Sequence, residues 1–233
     1  MARLLVVEDD VPLAELLRDQ LSHAGHQVCV AETGPEGLAA ALASPPELIV
    51  LDLMLPGLSG FDLCRQLRAS SAVPQPIVLI LTARTNEEDL VLGYDVGADD
   101  FVRKPFSIRE VNARVNALLR LRARPQAGPA ERQLGRLVLI PAERSARVGA
   151  QQLELTPLEF DLLDYLAERA RQVVTRDELL SAVWGYSHNG YARTVDTHVT
   201  RLRRKLGAAG LDAGMLRTVH GVGYAFEPDA VEA

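Results

Sequence analysis

Five short apolar runs recur along the first half of the chain: Leu4 to Val7, Gln27 to Ala31, Glu47 to Asp52, Pro76 to Ala83 and Asp100 to Pro105. Amphipathic stretches with helical spacing separate them, and strands that alternate with helices pair in parallel. LIVL and IVLIL are apolar at every position, as in strands covered by helices on both faces. The pattern predicts an α/β domain built on a doubly wound, five-stranded parallel sheet. After the helical stretch SIREVNARVNALLRLR comes ARPQAGPAERQLG, which lacks apolar periodicity and reads as a linker. Beyond it lie short strand-like pieces, RLVLI, SARVG and QQLEL, and then Thr156, Pro157, Leu158 and Glu159. Thr as N-cap, Pro at the first helical position and Glu three residues after the Thr make a capping box that opens the helix LEFDLLDYLAERA. Two further helices and a Gly-centred hairpin, TVHGVGYAF, complete an α+β second domain. The expected boundaries are 1–122, a linker over 123–133, and 134–233.

A length of 233 residues, 48% apolar and 24% charged, suits two folded domains and excludes wholesale disorder. The net charge of −6 divides unevenly. Residues 1–122 hold 11 Lys/Arg against 17 Asp/Glu, whereas residues 123–233 hold 14 of each. Within the second half, Arg193, Arg201, Arg203, Arg204, Lys205 and Arg217 face only Asp196 and Asp212 over residues 191–220. A basic patch is thus hidden in an acidic chain. No run approaches the length of a membrane helix, and the opening MARLLVVEDD meets acids too early for a signal peptide, so a cytoplasmic location is expected. Cys29 and Cys64, set among apolar neighbours, are expected to be small buried hydrophobes.

Ligands of an open parallel sheet gather at the carboxyl ends of its strands. Glu8, Asp9 and Asp10 follow the first strand, Asp52 ends the third, Thr82 the fourth, and Lys104 follows the fifth. Singly, each has an ordinary role: a helix cap, a turn residue, a solvated lysine. Their convergence does not. Packed carboxylates repel one another unless a cation shares the site, and oxygen-only ligands suit Mg²⁺. Asp52 is the candidate nucleophile toward phosphorus, with Asp9 as a direct metal ligand, Glu8 a ligand through water, and the backbone carbonyl of Met54 completing the set. Lys104 and Thr82 would bind the transferred oxygens. A phosphohydrolase of the haloacid dehalogenase type also uses an Asp nucleophile, but it needs a second Asp two residues on, where this chain has Met54. A DNA-binding regulator that is never phosphorylated would keep the fold and lose part of the acidic set.

VVEDD, LDLMLPGLSG, Thr82-Ala83 and GADDFVRKPF, over residues 3 to about 122, resemble the flavodoxin-like receiver domain of two-component response regulators. The resemblance implies that a sensor histidine kinase phosphorylates Asp52 with Mg²⁺, that the Lys104–Pro105 peptide is cis, and that Phe101 moves with Thr82 as a switch. It implies no catalysis beyond self-phosphorylation and self-dephosphorylation. It also implies a phosphorylation-dependent homodimer through the helix before the fifth strand, that strand, and the helix after it, with Asp100, Glu110 and Arg114 as charge partners. Leu90 and Asn116 stand where basic residues are expected.

In YARTVDTHVTRLRRKLG, Val195, Val199, Leu202 and Leu206 form a core stripe at helical spacing. Roughly opposite lie Arg193, Thr197, Arg201 and Arg204, with Thr194, His198 and Lys205 at the flank, a face suited to a major groove. LTPLEFDLLDYL, VWG, RTVDTHVTRLRRKL and GVGYAF resemble the winged helix-turn-helix effector of the OmpR/PhoB family, over about residues 134–228. By that resemblance the helix from Tyr191 is the recognition helix, contributing Arg203 as well, and the wing lies around Gly221 to Gly223. Arg217 and Thr218 would meet a phosphate or the minor groove, the loop from Tyr186 to Gly190 would face RNA polymerase, and the DNA sites would be direct repeats in promoters. Trp184 and Tyr224 are expected in the core.

Overall fold

The computed structural model describes residues 1–70, 74–83, 96–122, 131–186 and 192–228, with the side chains at 121, 122, 192 and 193 outside that set. It divides into two compact units, Met1–Leu119 and Arg120–Ala233. In the first, strands β1 (Arg3–Val7), β2 (Gln27–Ala31), β3 (Leu48–Asp52), β4 (Ile77–Thr82) and β5 (Asp100–Arg103) form one parallel sheet in the order β2-β1-β3-β4-β5. Helices α1 (Val11–His23), α2 (Gly34–Ala43), α3 (Gly60–Ala69) and α4 (Ile108–Arg122) accompany it. Every residue of β3 and β4 is buried, as their unbroken apolar runs predict.

Strand-to-helix turns begin with caps that the sequence supplies. Asp10, Thr33 and Ser59 each accept a backbone N–H from the first turn of the helix that follows. Asp10 is thereby committed to α1, which separates it from the adjacent Glu8 and Asp9. Gly60, first in α3, packs directly on the backbone of the phosphoacceptor candidate: a Cβ there would lie 2.2 Å from the Asp52 carbonyl oxygen. One expectation fails. Cys64 is buried, but Cys29 is exposed, because β2 is an edge strand whose alternate residues face outward.

The second unit opens with an antiparallel sheet, β6 (Arg132–Leu134), β7 (Leu137–Ile140), β8 (Ser145–Val148) and β9 (Gln151–Leu153). Residues 123–130 of the expected linker lie outside the described residues, and Arg132 and Gln133 pair with β7. Then come α5 (Pro157–Glu168), β10 (Val173–Thr175), α6 (Arg176–Leu179) continued by a π-helical turn over Leu180–Trp184, α7 (Ala192–Ala208), and the hairpin β11 (Leu216–Val219) and β12 (Gly223–Phe226). In the second sheet β12 lies between β10 and β11. Phe160, Trp184 and Phe226 are fully buried.

The predicted capping box is present: Thr156 Oγ1 accepts the Glu159 N–H, and Glu159 accepts the Thr156 N–H at 2.9 Å. Glu159 also does something the sequence did not disclose. Its fully buried carboxylate pairs with Arg201 at 2.9 Å and Lys205 at 2.6 Å on α7. Burial alone raises the pKa of this carboxyl, but the Arg201 and Lys205 charges, with bonds from Lys205 and Thr156, outweigh it and bring the value from 4.5 down to about 2.

Glu159→Gln is expected to destabilise the second unit by about 3 kcal/mol, since it strands the buried Arg201 charge. Urea unfolding followed by the fluorescence of Trp184, the single Trp of the chain, measures this. The folded pKa lies below the unfolded one, so the carboxylate stabilises the fold above pH 4.5 and this contribution disappears as pH falls toward about 2. The variant should lack that part of the acid dependence. For Gly60→Ala the expectation is a loss of about 2 kcal/mol in the first unit, because the new methyl meets backbone that must shift; amide hydrogen exchange along β3 reads it.

Candidate functional site

Parallel pairing brings the ends of β1, β3, β4 and β5 to one edge of the sheet, with Val7 beside Leu51, Asp52 beside Leu81 and Thr82 beside Arg103. The chain then turns, and the Lys104 N–H donates to the Thr82 carbonyl at 2.7 Å. The Lys104–Pro105 peptide is cis. Glu8, Asp52 and Thr82 are buried, whereas Asp9 is exposed. Carboxylate oxygens of Glu8, Asp9 and Asp52 all lie within 4.8 Å of one another. The ammonium of Lys104 bonds Asp52 Oδ2 and reaches both Glu8 oxygens at 2.9 Å. Asp52 Oδ1 accepts the Met54 N–H at 2.8 Å, which orients the carboxylate.

One ammonium does not balance this cluster. Burial raises the pKa of Glu8, Asp52's charge adds to the rise, and Lys104 only partly opposes it, so the value reaches about 7. Burial would lower the pKa of Lys104, but Asp52 and Glu8 outweigh it and the pKa is raised. Three oxygen donors with excess negative charge fit a hard divalent cation held partly by water. Phe101 is 2% exposed and belongs to the core cluster with Ile80 and Ala98, so its ring is inward.

Asp100, Glu110 and Arg114 are engaged with one another inside one chain. Arg114 pairs with Asp100 at 2.9 Å and with Glu110 at 3.0 Å, and both Arg114 and Asp100 are buried. Asn116 Oδ1 lies 3.2 Å from His26 Nε2. Leu90 lies outside the described residues.

In the second unit, α7 is turned differently from the sequence expectation. Thr194, His198 and Arg201 are 1%, 0% and 3% exposed and do not present a face to solvent. At about 100° per residue they share an arc with Lys205 beside the apolar stripe, and the buried arc spans both. The His198 ring packs edge-on to Trp184 with centroids 4.9 Å apart, and its Nδ1 donates to the Thr194 carbonyl at 2.8 Å. Arg201 and Lys205 are drawn in by Glu159. In this structure these four are packing and ion-pairing residues within the domain. Arg203 donates to the Leu216 carbonyl and, at 2.7 Å, to the Thr218 hydroxyl, while exposed Arg217 pairs with Glu227 at 3.1 Å. The outward arc instead carries half-buried Thr197 and exposed Thr200 and Arg204, and sequence reading missed Thr200. The Arg193 side chain, Tyr191 and the loop 187–190 lie outside the described residues. The hairpin places exposed His220, Gly221 and Val222 at its tip, and Trp184 and Tyr224 are buried as expected.

Comparison with known proteins bears on both units. Residues 4–116 match the family described as "Response regulator receiver domain", and residues 150–226 that described as "Transcriptional regulatory protein, C terminal". The chain is 47% identical over 228 residues to the DNA-binding response regulator MtrA of Mycolicibacterium smegmatis, covering 97% of each chain. It is 42% identical over 234 residues to the alkaline phosphatase synthesis transcriptional regulatory protein PhoP of Bacillus subtilis, covering 97% of this chain and 96% of that one. Among solved structures, a RitR cysteine-to-aspartate mutant aligns with a TM-score of 0.79 at 28% identity, over 98% of this chain and 100% of that one. The OmpR/PhoB homologue DrrB of Thermotoga maritima aligns with a TM-score of 0.52 at 30% identity, over 97% and 99%. No helix among the described residues is long and apolar enough to cross a membrane. A parallel sheet with a carboxylate cluster at its edge, joined to a winged-helix unit and matched along almost its whole length, makes this chain a member of the OmpR/PhoB-type response regulators, which couple a receiver domain to a DNA-binding domain.

Proposed function

We propose that this response regulator controls transcription from the cytoplasm according to phosphorylation of Asp52 by a partner sensor histidine kinase. What carries the reading is the Lys104 ammonium shared between the carboxylates of Asp52 and Glu8, with Asp9 beside them. In the transfer, an Asp52 oxygen forms a bond to phosphorus, the bond from phosphorus to the donor's imidazole nitrogen breaks, and the imidazole leaves with the electron pair. Lys104 moves from the Asp52 carboxylate to a transferred oxygen, and the Thr82 hydroxyl donates to another. Asp9, Asp52 and the Met54 carbonyl, with Glu8 through a water, would hold a Mg²⁺ ion, which would supply positive charge against that of the phosphoryl group.

Thr82 drawn toward the phosphoryl group alters the space beside Phe101, and the two side chains act as the switch. Two phosphorylated chains pair through the face containing Asp100, Glu110 and Arg114, exchanging partners that each chain holds internally. The dimer binds direct-repeat duplex sites, with Arg193, Thr197, Thr200 and Arg204 toward the major groove and the wing, with Arg217 and Thr218 near its base, against the backbone. The loop from Tyr186 to Gly190 is the proposed contact to RNA polymerase.

The full chain incubated with Mg²⁺ and acetyl phosphate is expected to gain one phosphoryl group by intact-mass measurement, to gain none when EDTA is present, and to sediment faster once modified. Asp52→Asn should remain unmodified; labelling of that variant to the wild-type level would overturn the assignment.

A further inference from the structure

The outward arc of α7 carries one residue of the wrong sign for its task. Asp196 is the single acid in the helix ARTVDTHVTRLRRKLGA, and at about 100° per residue it falls between Arg203 and Thr200. Its side chain is 42% exposed. Its carboxylate accepts Arg176 Nε at 2.7 Å and the Tyr224 hydroxyl at 2.6 Å. Arg176 starts α6, the first helix of the helix-turn-helix, and Tyr224 belongs to wing strand β12. The buried Tyr224 ring lies 4.9 Å from the Arg176 guanidinium and 5.7 Å from that of Arg203, which in turn holds the other wing strand through Leu216 and Thr218. One exposed carboxylate thus joins the starting helix, the recognition helix and the wing.

We propose that Asp196 is a specificity-determining residue of the DNA-binding surface, which holds the wing at a set angle to the recognition helix and disfavours duplexes that offer only phosphates. The inference rests on the DNA-binding reading of this domain. Non-specific affinity is almost wholly electrostatic, so a negative charge on the contacting arc, which also neutralises Arg176, weakens it directly. Affinity for a cognate site includes base-edge contacts and gains from a helix and wing already set in register, so it suffers less. The ratio of the two rises, as when discrimination is achieved by a repulsive element. Burial, and then the bond to Asp196, push the Tyr224 phenol up from 10 to about 12.

The test compares the full wild-type chain with Asp196→Asn and Tyr224→Phe on two probes: a duplex selected by the wild-type chain from a random-sequence pool, and the same duplex scrambled. Asp196→Asn is expected to bind the scrambled duplex more tightly, to steepen its log–log salt dependence by about one, and to lower the ratio of selected to scrambled affinity about tenfold. Tyr224→Phe keeps all charges, so its ratio should fall while its salt slope stays at the wild-type value. Equal changes on both probes with Asp196→Asn, or a wild-type ratio with Tyr224→Phe, overturn the proposal. Should Asp196→Asn fail to fold by Trp184 fluorescence, Tyr224→Phe decides. A wild-type chain that enriches no duplex from the pool overturns the DNA-binding reading and this inference with it, whereas wild-type binding with unaltered variants overturns the inference alone.

Discussion

Glu8 and Asp52 face the Lys104 ammonium from two strand ends, and both carboxylates are buried beside it. Taking one ion out of water costs several kcal/mol, and two like charges side by side cost more. The parallel sheet bears this cost because β3 and β4 are buried at every position and apolar up to the Asp52 and Thr82 that end them, and both are paired on each side. Gly60 removes the last freedom by seating α3 on the Asp52 backbone. The site is a charge imbalance built into a rigid edge.

A second buried carboxylate in the chain shows what balance looks like. Glu159 is more deeply enclosed than the receiver cluster, yet two cations and a backbone N–H pair with it and its pKa falls to about 2, while that of Glu8 rises to about 7. Burial acts in the same direction on both; the difference is the count of compensating partners. Glu159 pairs two elements of its own domain, and Glu8 belongs to a carboxylate cluster that could hold a metal ion.

The receiver fold was legible because its interior strands β3 and β4 are buried on both faces and leave long apolar runs, and the acidic cluster was legible because its members follow β1 or end β3. Local pattern could not show that Asp10 caps α1 while its neighbours do not, or that Cys29 lies on an edge strand. The buried arc of the recognition helix is wider than its apolar spacing indicated, for the same reason. Apolar spacing locates the centre of a buried arc but not its width, and the width of α7's arc is set by Glu159 and Trp184, which lie elsewhere in the sequence. Glu159 stood out only as a capping residue, and its second role needs the fold. The Asp196, Arg176 and Tyr224 network was invisible likewise, since it joins three elements with no common periodicity.

The triad of Arg114, Asp100 and Glu110 is complete inside a single chain. A neighbouring molecule that met these three residues would find them already paired, so bonds they formed across the contact would be matched by bonds given up within each chain. The Coulomb attraction of the triad would then cancel to first order in such an association, and its charges would act mainly to enforce alignment.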